Sequence, residues 1–323
     1  PEFEYGHDPA STDVVGAERT FYPRGFTWLT HVDRGTVENG VFSIDFAMRD
    51  FRNHAKDAED VHLRFTALND WIPDAVDLTK GYPPQKKVND IITGLDYLFI
   101  HRKGTNLDTL YTSLLQPYKG EAYIEKAEAI NVTLKAGAEE NDDVVKTVKI
   151  TLKNGLVDYV VYATNNEVTY HIADNNVCFD FRGFVGVYRV DKDGKCVYGY
   201  LNDGDLLTDV ANPESAVGAY TGTVVDFTKE FVGENELVVR LDQTLLDEKA
   251  LVGNYEYVDS TSSRNTVYRI KEVTKRGKYV VLHLGNTTLI ERMIDSTNID
   301  AGFVYAVAKG DVIRIPVSVI KNT

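Results

Sequence analysis

The sequence predicts an essentially all-β fold, and three observations predict it. Apolar and polar residues alternate with a period of two along many short segments, such as 148–152. Turn signals, among them Asn154-Gly155 and Asp193-Gly194, recur roughly every ten residues. Helical periodicity is nearly absent, and only 245–252 is expected to make a turn or two of helix. We therefore expect a large antiparallel β-sandwich followed by a smaller β-sandwich or barrel.

The first part of the chain contains several segments that alternate or form apolar runs between turn residues, as strands do. Asn154-Gly155 predicts a two-residue hairpin, because this pair readily adopts the positive φ angles of such a turn. The segment 191–194 joins two further strands. It is interpreted as a plain hairpin turn rather than a calcium loop, because the bidentate glutamate of such a loop is missing. The predicted strands are 97–100, 109–115, 148–152, 157–162, 168–172, 177–181, 185–190 and 196–201.

A domain boundary is expected within 206–220, where Asn212-Pro213 and Gly218 interrupt the strand rhythm. We place the large sandwich at 1–212 and the smaller sandwich or barrel at 213–323. Residues 1–20 are expected to hold a cloning scar and a linker. Seven further strands are predicted beyond the boundary, at 223–227, 236–241, 255–258, 266–270, 279–284, 303–307 and 312–319.

The chain of 323 residues is acidic, with a net charge of −14. Nucleic acids and anionic membranes attract positively charged surfaces, so neither is expected as a partner. A heavily sulfated polysaccharide is disfavoured for the same reason. The sequence contains no run of 18 apolar residues, so no membrane-spanning helix is predicted. The basic pairs Lys86-Lys87, Arg102-Lys103 and Lys275-Arg276 are interpreted as solvated turn residues.

No cofactor and no metal site is predicted. Cys178 and Cys196 are too few for a disulfide scaffold and lack zinc-binding spacing, so free buried thiols are favoured over a bridge. A serine nucleophile has no local signature, because Gly-x-Ser-x-Gly is missing. Four residues without ligand spacing are interpreted as hydrogen-bonded core or surface groups: His31, Asp33, His54 and His62.

Aromatic side chains are the main candidates for function, since flat exposed rings can stack on the faces of sugars. Trp71, Tyr82 and Tyr118 stand out because they lie near glycine or proline in segments predicted as loops. Trp28 lies in an apolar segment and is expected in the core. Tyrosine is also favoured in strands, so most of the nineteen tyrosines are expected to be structural.

The segment 81–120 carries three recognisable stretches: Gly-Tyr-Pro-Pro at 81–84, Asp-Tyr-Leu at 96–98 with Arg102 and Gly104 after it, and Gln-Pro-Tyr-Lys-Gly at 116–120. From the residues alone, 97–100 and 109–115 are predicted to form one hairpin of a buried sheet around a basic turn at 101–104. These stretches resemble the C-terminal β-region of heparinase II/III-like polysaccharide lyases. The resemblance covers roughly residues 20 to 210.

The resemblance implies a secreted protein in which a β-sandwich supports an N-terminal helical catalytic domain. Such lyases abstract the C5 proton of a uronic acid with a tyrosine or a histidine. The family's His-x-His-x-Asp, Ile-Asp-Ser-Gly-like and Ala-His-Asn motifs are all missing from this sequence. We therefore predict a non-catalytic C-terminal β-sandwich region that supports the missing catalytic domain and holds polysaccharide.

Two alternatives stay open. In the first alternative, the chain is an independent carbohydrate-binding module. In the second, it is an active lyase that uses Tyr118 with His101. The expected ligand is a uronic-acid-containing or neutral glycan. Binding is expected through loop aromatics more than through basic residues. The candidate carbohydrate-binding residues are Trp71, Tyr82, Tyr118, His101 and Arg102, and no catalytic residue is predicted.

Overall fold

The computed structural model describes residues 29–48, 60–81, 95–135, 144–229, 231, 233–262, 266–294 and 302–322. These residues form antiparallel strands and a single short 3₁₀ helix, Glu248–Leu251, and include no α-helix. The predicted all-β fold is therefore confirmed, as is the helical turn expected within 245–252. The described chain divides into two compact units, residues 1–123 and 124–323.

The first unit contains two three-stranded antiparallel sheets. Their orders are β1-β4-β5 and β2-β3-β6. Alternation of polar and apolar residues is clearest in β2, where Phe42, Ile44 and Phe46 share one face of the sheet. The strands are β1 (Leu29–Gly35), β2 (Val41–Ala47), β3 (Val61–Leu68), β4 (Ala75–Gly81), β5 (Leu95–His101) and β6 (Ser113–Lys119).

The predicted hairpin of 97–100 with 109–115 is wrong. Strand β5 pairs with β4, whereas β6 pairs with β3 in the other sheet. The connection 102–112 is too long to force the chain back onto β5, so it carries the chain to a different sheet instead. Strand β5 is also not fully buried, because its first three residues are exposed.

The first part of the second unit is a pair of antiparallel sheets, with the orders β25-β14-β13-β10-β9-β7 and β15-β12-β11-β8. Both predicted hairpin turns are confirmed. Gly155 and Gly194 adopt positive φ angles of 86° and 78° between paired strands. The strands are β7 (Ile124–Ile130), β8 (Val132–Leu134), β9 (Val145–Leu152), β10 (Val157–Ala163), β11 (Tyr170–Asp174), β12 (Val177–Arg182), β13 (Val185–Val190), β14 (Cys196–Asn202), β15 (Leu206–Leu207) and β25 (Ser318–Asn322).

These two sheets contribute to one hydrophobic core, which gives this part of the chain its sandwich character. Aromatic rings from both sheets meet there. Phe179 of β12 stacks on Tyr188 of β13 with ring centroids 4.4 Å apart, and Tyr159 of β10 meets Phe179 edge-on at 5.7 Å. Core contacts between rings therefore join the two sheets.

The rest of the second unit is built around a seven-stranded antiparallel sheet with the order β19-β18-β24-β16-β17-β21-β20, together with a two-stranded β22-β23 ribbon. Its own core includes buried apolar residues such as Leu237, Leu282 and Ile313. The strands are β16 (Ala219–Phe227), β17 (Asn235–Leu241), β18 (Tyr255–Asp259), β19 (Val267–Arg269), β20 (Glu272–Arg276), β21 (Tyr279–Gly285), β22 (Ile290–Arg292), β23 (Val304–Tyr305) and β24 (Val312–Pro316).

The predicted boundary at residues 212/213 lies inside the second unit. It falls between the segments that build the two cores, because the first core draws on residues up to Ala211 and the second begins with Tyr220. Strand β25 is the exception. It follows the seven-stranded sheet in sequence but pairs with β14 as the edge of the six-stranded sheet.

Candidate functional site

A polar face on the β2-β3-β6 sheet holds a group of charged and aromatic side chains that contact one another. Alternation places Asp45 of β2 on the face opposite Phe42 and Phe46. The strand register sets Asp45 beside Arg64, and His62 beside Tyr118. We call Asp45, Asp60, His62, Arg64 and Tyr118 the aspartate cluster.

Asp45 is the centre of this cluster. Its Oδ1 lies 2.7 Å from His62 Nδ1, and its Oδ2 accepts from Arg64 Nε at 2.9 Å. The hydroxyl of Tyr118 also donates to Oδ2. The rings of His62 and Tyr118 stack with centroids 5.0 Å apart, and the Arg64 guanidinium lies 5.4 Å from the centre of the tyrosine ring.

The contacts of the cluster decide which of its groups carry protons. The hydrogen bond from Tyr118, with those from His62 and Arg64, holds the pKa of Asp45 below its ordinary value. His62 faces Asp60 through Nε2 at 2.9 Å, and Asp60 followed by Asp45 raises the pKa of His62. The bond to Asp45 raises the pKa of Tyr118. Since both ring nitrogens of His62 face carboxylates, the doubly protonated imidazolium satisfies both bonds.

A second group surrounds Trp71 in the loop between β3 and β4. Its Nε1 donates to the carbonyl of Leu110 at 3.0 Å, and Tyr111 meets its ring edge-on at 5.1 Å. Arg102 lies over the indole with 5.0 Å to the ring centre, while its Nη1 donates to the Asp108 carbonyl. Trp71, Arg102 and Tyr111 form what we call the tryptophan cluster.

The tryptophan cluster presents its tyrosine, more than its tryptophan, to solvent. Trp71 is half-buried and partly covered by Arg102, whereas Tyr111 is 50% exposed. The preceding turn is held by the buried Asn69, whose side chain accepts from the backbone N–H of Thr112 at 3.1 Å. The loop is therefore fixed by hydrogen bonds, and Tyr111 is its accessible aromatic surface.

His101 belongs to a third set of contacts, around the fully buried Asp77 of β4. His101 Nε2 lies 2.8 Å from Asp77 Oδ2, and Arg34 binds both oxygens of the same carboxylate at 2.9 and 3.0 Å. Burial alone would raise the pKa of Asp77, but the bonds from Arg34 and His101 outweigh it and lower the pKa. This arrangement stabilises the β1-β4-β5 sheet, and His101 acts there as a structural residue.

The structure brings together only some of the residues predicted to bind carbohydrate. Trp71 and Arg102 are in contact, while Tyr118 lies in the aspartate cluster and His101 lies beside Asp77. Tyr82, like Trp28, lies outside the described residues. The lyase alternative that uses Tyr118 with His101 is therefore not supported, because each is bonded to a different aspartate in a different sheet.

Sequence reasoning missed four residues of these clusters, Asp45, Asp60, Arg64 and Tyr111, and it did not identify the role of His62. The available signal was weak. The alternation in β2 marks Asp45 as a residue of the polar face, but the partner strand and its register are long-range properties. For His62 the sequence favours a hydrogen-bonded core or surface group over a metal ligand, but it does not identify Asp45 and Asp60 as the partners. Among the described residues no group of three or more His, Cys, Asp or Glu is placed to hold a metal ion.

Both cysteines are free. The expectation that both are buried is wrong for Cys178, which is exposed, and correct for Cys196. Cys178 alternates with the core residues Val177 and Phe179 of β12, so it points to the outer face of the sheet. The pair Lys275-Arg276 lies at the end of strand β20 rather than in a turn, and its side chains form ion pairs with Glu248 and Glu236.

Fold and clusters together define an all-β protein that carries polar and aromatic side chains on an exposed sheet face. No protein-family model matches the chain, no curated protein matches it, and no solved structure matches it. Within the part of the chain that is described, no helix has the length and apolar character needed to cross a membrane.

Proposed function

We propose that this chain is a non-catalytic β-region that binds polysaccharide, as expected from its resemblance to the C-terminal part of secreted heparinase II/III-like lyases. The observation that carries the proposal is the Asp45 carboxylate, which accepts hydrogen bonds from three side chains on an exposed sheet face. In the proposal, the aspartate cluster holds one end of a glycan segment and the tryptophan cluster holds another.

Protonation favours binding over lyase chemistry at the aspartate cluster. A lyase base must give up its own proton before it can take one from the C5 carbon of a uronic acid. The contacts of Tyr118 and His62 raise the pKa of both groups, so both hold their protons more firmly than ordinary side chains do. Tyr118 and His62 therefore act as hydrogen-bond donors to Asp45 and Asp60. Fixed donors and acceptors of this kind suit the recognition of a ligand better than the removal of its proton.

The charge balance of the cluster indicates the class of ligand. Arg64 and protonated His62 supply two positive charges, and Asp45 and Asp60 supply two negative ones. A heavily sulfated polymer would find no net positive charge there, whereas sugar hydroxyls can donate to carboxylate oxygens that retain free lone pairs. We therefore propose a neutral or lightly charged uronic-acid glycan.

The tryptophan cluster extends the proposed binding surface. It lies beyond the Ala67–Ser113 end of the β3-β6 pair, and His62 and Tyr118 lie near the other end. Five residues of strand separate His62 from Ala67, a distance on the order of 17 Å. Such a separation suits a polymer rather than a single sugar. The exposed ring of Tyr111 would supply the stacking contact.

Calorimetric titration with neutral and uronic-acid oligosaccharides tests the proposal. Asp45→Asn and Tyr111→Ala should each weaken binding by about fivefold or more, in line with the roughly 1 kcal/mol of one hydrogen bond or ring contact. Arg240→Gln is the matched control, because Arg240 is an exposed strand residue of the second unit. Its affinity should equal that of the unaltered protein.

Two results would contradict the proposal. One is the absence of binding to every oligosaccharide in the panel, and the other is binding that neither substitution affects. The non-catalytic assignment is tested separately by ultraviolet absorbance, because lyases form unsaturated uronic products. A steady rise with heparin, heparan sulfate, alginate or hyaluronan would show that the chain is an active lyase.

A further inference from the structure

The outer face of the β15-β12-β11-β8 sheet, in the second unit, carries a cysteine, a histidine and a carboxylate in line. Cys178 Sγ lies 3.5 Å from His171 Nε2, and His171 Nδ1 lies 2.9 Å from Asp180 Oδ1. Lys135 Nζ binds the other oxygen of Asp180 at 2.6 Å. We call Cys178, His171, Asp180 and Lys135 the thiol cluster.

The sheet register creates this arrangement. His171 of β11 is paired with Asp180 of β12, and Ala173 is paired with Cys178. Residues two apart on a strand share a face, so Cys178 and Asp180 flank His171 on the same side of the sheet. A cavity of about 320 Å³ lies against the cluster and is lined by Leu134, Lys135, His171 and Asp180. Cys178 does not line this cavity but is itself exposed, so a small molecule can reach its thiol from solvent.

The carboxylate determines which nitrogen of His171 carries the proton. Burial would raise the pKa of Asp180, but the bonds from Lys135 and His171 outweigh it and lower the pKa. An ionised carboxylate can only accept hydrogen bonds, so Nδ1 of His171 is the donor. In the neutral imidazole Nε2 is then the acceptor, and it faces the S–H of Cys178. This orientation is the one needed to remove the thiol proton.

Other charged groups on the surrounding strands are engaged elsewhere. Asp174 of β11 lies on the opposite side of the sheet and binds Lys149 and Tyr159. Arg182 of β12 forms a bidentate pair with Asp205 at 2.7 and 2.8 Å. Among the described residues of these strands and their ends, His171 contacts Cys178 directly, Asp180 is linked to it through His171, and Lys135 is linked to it through Asp180 and His171.

We propose that Cys178 is a reactive thiol activated by His171, and that it exchanges with small disulfides. As Sγ attacks, its proton passes to His171 Nε2. A bond forms between Sγ and one sulfur of the disulfide while the disulfide's own S–S bond breaks. The released thiolate takes the proton from His171. Cys178 is thereby oxidised to a mixed disulfide, and the other half of the reagent is reduced to a thiol.

The surroundings of Cys178 suit attack at sulfur better than acyl transfer. An acyl-transfer site needs backbone or side-chain donors aimed at an oxyanion. Strand β12 pairs with β11 from Val177 to Phe181, so its backbone groups on that side of Cys178 are engaged in strand pairing. Attack on a disulfide forms no oxyanion and needs only an accessible thiol and a base. The proposal does not depend on glycan binding by the first unit.

The test is the rate at which 2-hydroxyethyl disulfide, a small uncharged reagent, modifies Cys178 in the intact chain, followed by mass spectrometry. At pH 7, His171→Gln should slow the reaction by about tenfold or more, because a thiol without a neighbouring base is only a few per cent thiolate at this pH. Asp180→Asn should also slow it, because His171 loses its fixed tautomer. Buried Cys196 is the internal control and should stay unmodified in the folded protein.

High pH separates proton removal from simple access to the thiol. Near pH 10 a thiol ionises without a base, so His171→Gln and the unaltered protein should react at equal rates. A difference that persists unchanged at pH 10 would overturn the proposal, as would equal rates at pH 7. A peptide of residues 177–182 provides a test independent of variant folding. If its pH–rate curve superimposes on that of Cys178 in the intact chain, the proposal is wrong.

Discussion

Arg314 and Asp203 form a bidentate ion pair across 111 residues of sequence, with Nη1–Oδ2 and Nη2–Oδ1 distances of 2.7 and 2.5 Å. Arg314 lies on β24 of the seven-stranded sheet, and Asp203 directly follows β14 of the six-stranded sheet. Asp203 adopts a φ of 52°, and its side chain is only 14% exposed. This ion pair links the two parts of the second unit, each of which has its own hydrophobic core.

Replacing Arg314 with lysine should lower the free energy of unfolding by about 1–2 kcal/mol. Lysine keeps the charge but loses the planar fork that binds both oxygens of Asp203. Urea denaturation followed by fluorescence measures the change. Arg276→Lys is the matched control, because Arg276 is 64% exposed and makes one 3.3 Å contact with Glu236. Its effect should stay within about 0.5 kcal/mol, and equal effects would contradict the prediction.

Glu256 should make the protein less stable as the pH rises. Its side chain is fully buried and has no hydrogen-bond partner among the described residues, and burial raises its pKa to about 8. The unfolded chain releases this proton near pH 4.5. Between these values only the folded state keeps the proton, so the free energy of unfolding falls by up to about 1.4 kcal/mol per pH unit.

Glu256→Gln should remove this part of the pH dependence, because glutamine does not titrate. The measurement is the slope of unfolding free energy against pH from 5 to 8, compared with the same slope for the unaltered protein. Glu272→Gln, at an exposed position of β20 in the same sheet, provides the control and should leave the slope unchanged. Parallel curves for Glu256→Gln and the unaltered protein would show that Glu256 is not protonated in the fold.

Gly40→Ala should destabilise the first unit by about 1–3 kcal/mol. A Cβ at this position would lie 2.2 Å from the Asn69 carbonyl oxygen and 2.5 Å from that of Trp71, so the loop under the tryptophan cluster would have to shift. Gly35→Ala is the control, since its Cβ would meet no atom within 4 Å. Thermal unfolding compares the two variants, and a comparable loss in both would refute the packing argument.

Binding of a uronic-acid oligosaccharide should weaken as the pH rises above neutrality. The pKa of His62 is raised by Asp60 and Asp45, so its positive charge is present at low pH and is lost as the pH passes its pKa in the folded protein. The aspartate cluster then becomes net negative and repels a uronate. Titrations at several pH values measure this trend. His62→Gln should flatten it, and a trend that survives the substitution would exclude His62 as its source.

Local patterns predicted the Asn-Gly and Asp-Gly hairpins and the strands that flank them, because their causes are local. The Asn154-Gly155 turn requires only residues that tolerate positive φ, and strands β9 and β10 alternate on either side of it. The pairing of β5 with β4, by contrast, depends on a loop that crosses to another sheet. Nothing in residues 102–112 identifies the partner strand, so the predicted hairpin was wrong.

The candidate site shows the same division. Tyr118 was selected as an aromatic residue near proline and glycine, but its hydrogen-bond partner Asp45 lies 73 residues earlier. Their contact depends on β2 and β6 both flanking β3 in register. A shift of one residue in either pairing would turn one of the partners to the other face. Residue type can therefore suggest a site, whereas its composition follows from long-range strand register.

The pairing of β25 with β14 has a consequence for how this chain is made. On the ribosome, β14 emerges more than 110 residues before its neighbour Ser318–Asn322. Throughout that interval β14 is an unpaired edge of a sheet that still lacks β25. Unpaired edge strands can pair with strands of other nascent chains. A slowly translated or truncated chain should therefore aggregate through β14, and the vulnerable period ends only when β25 arrives.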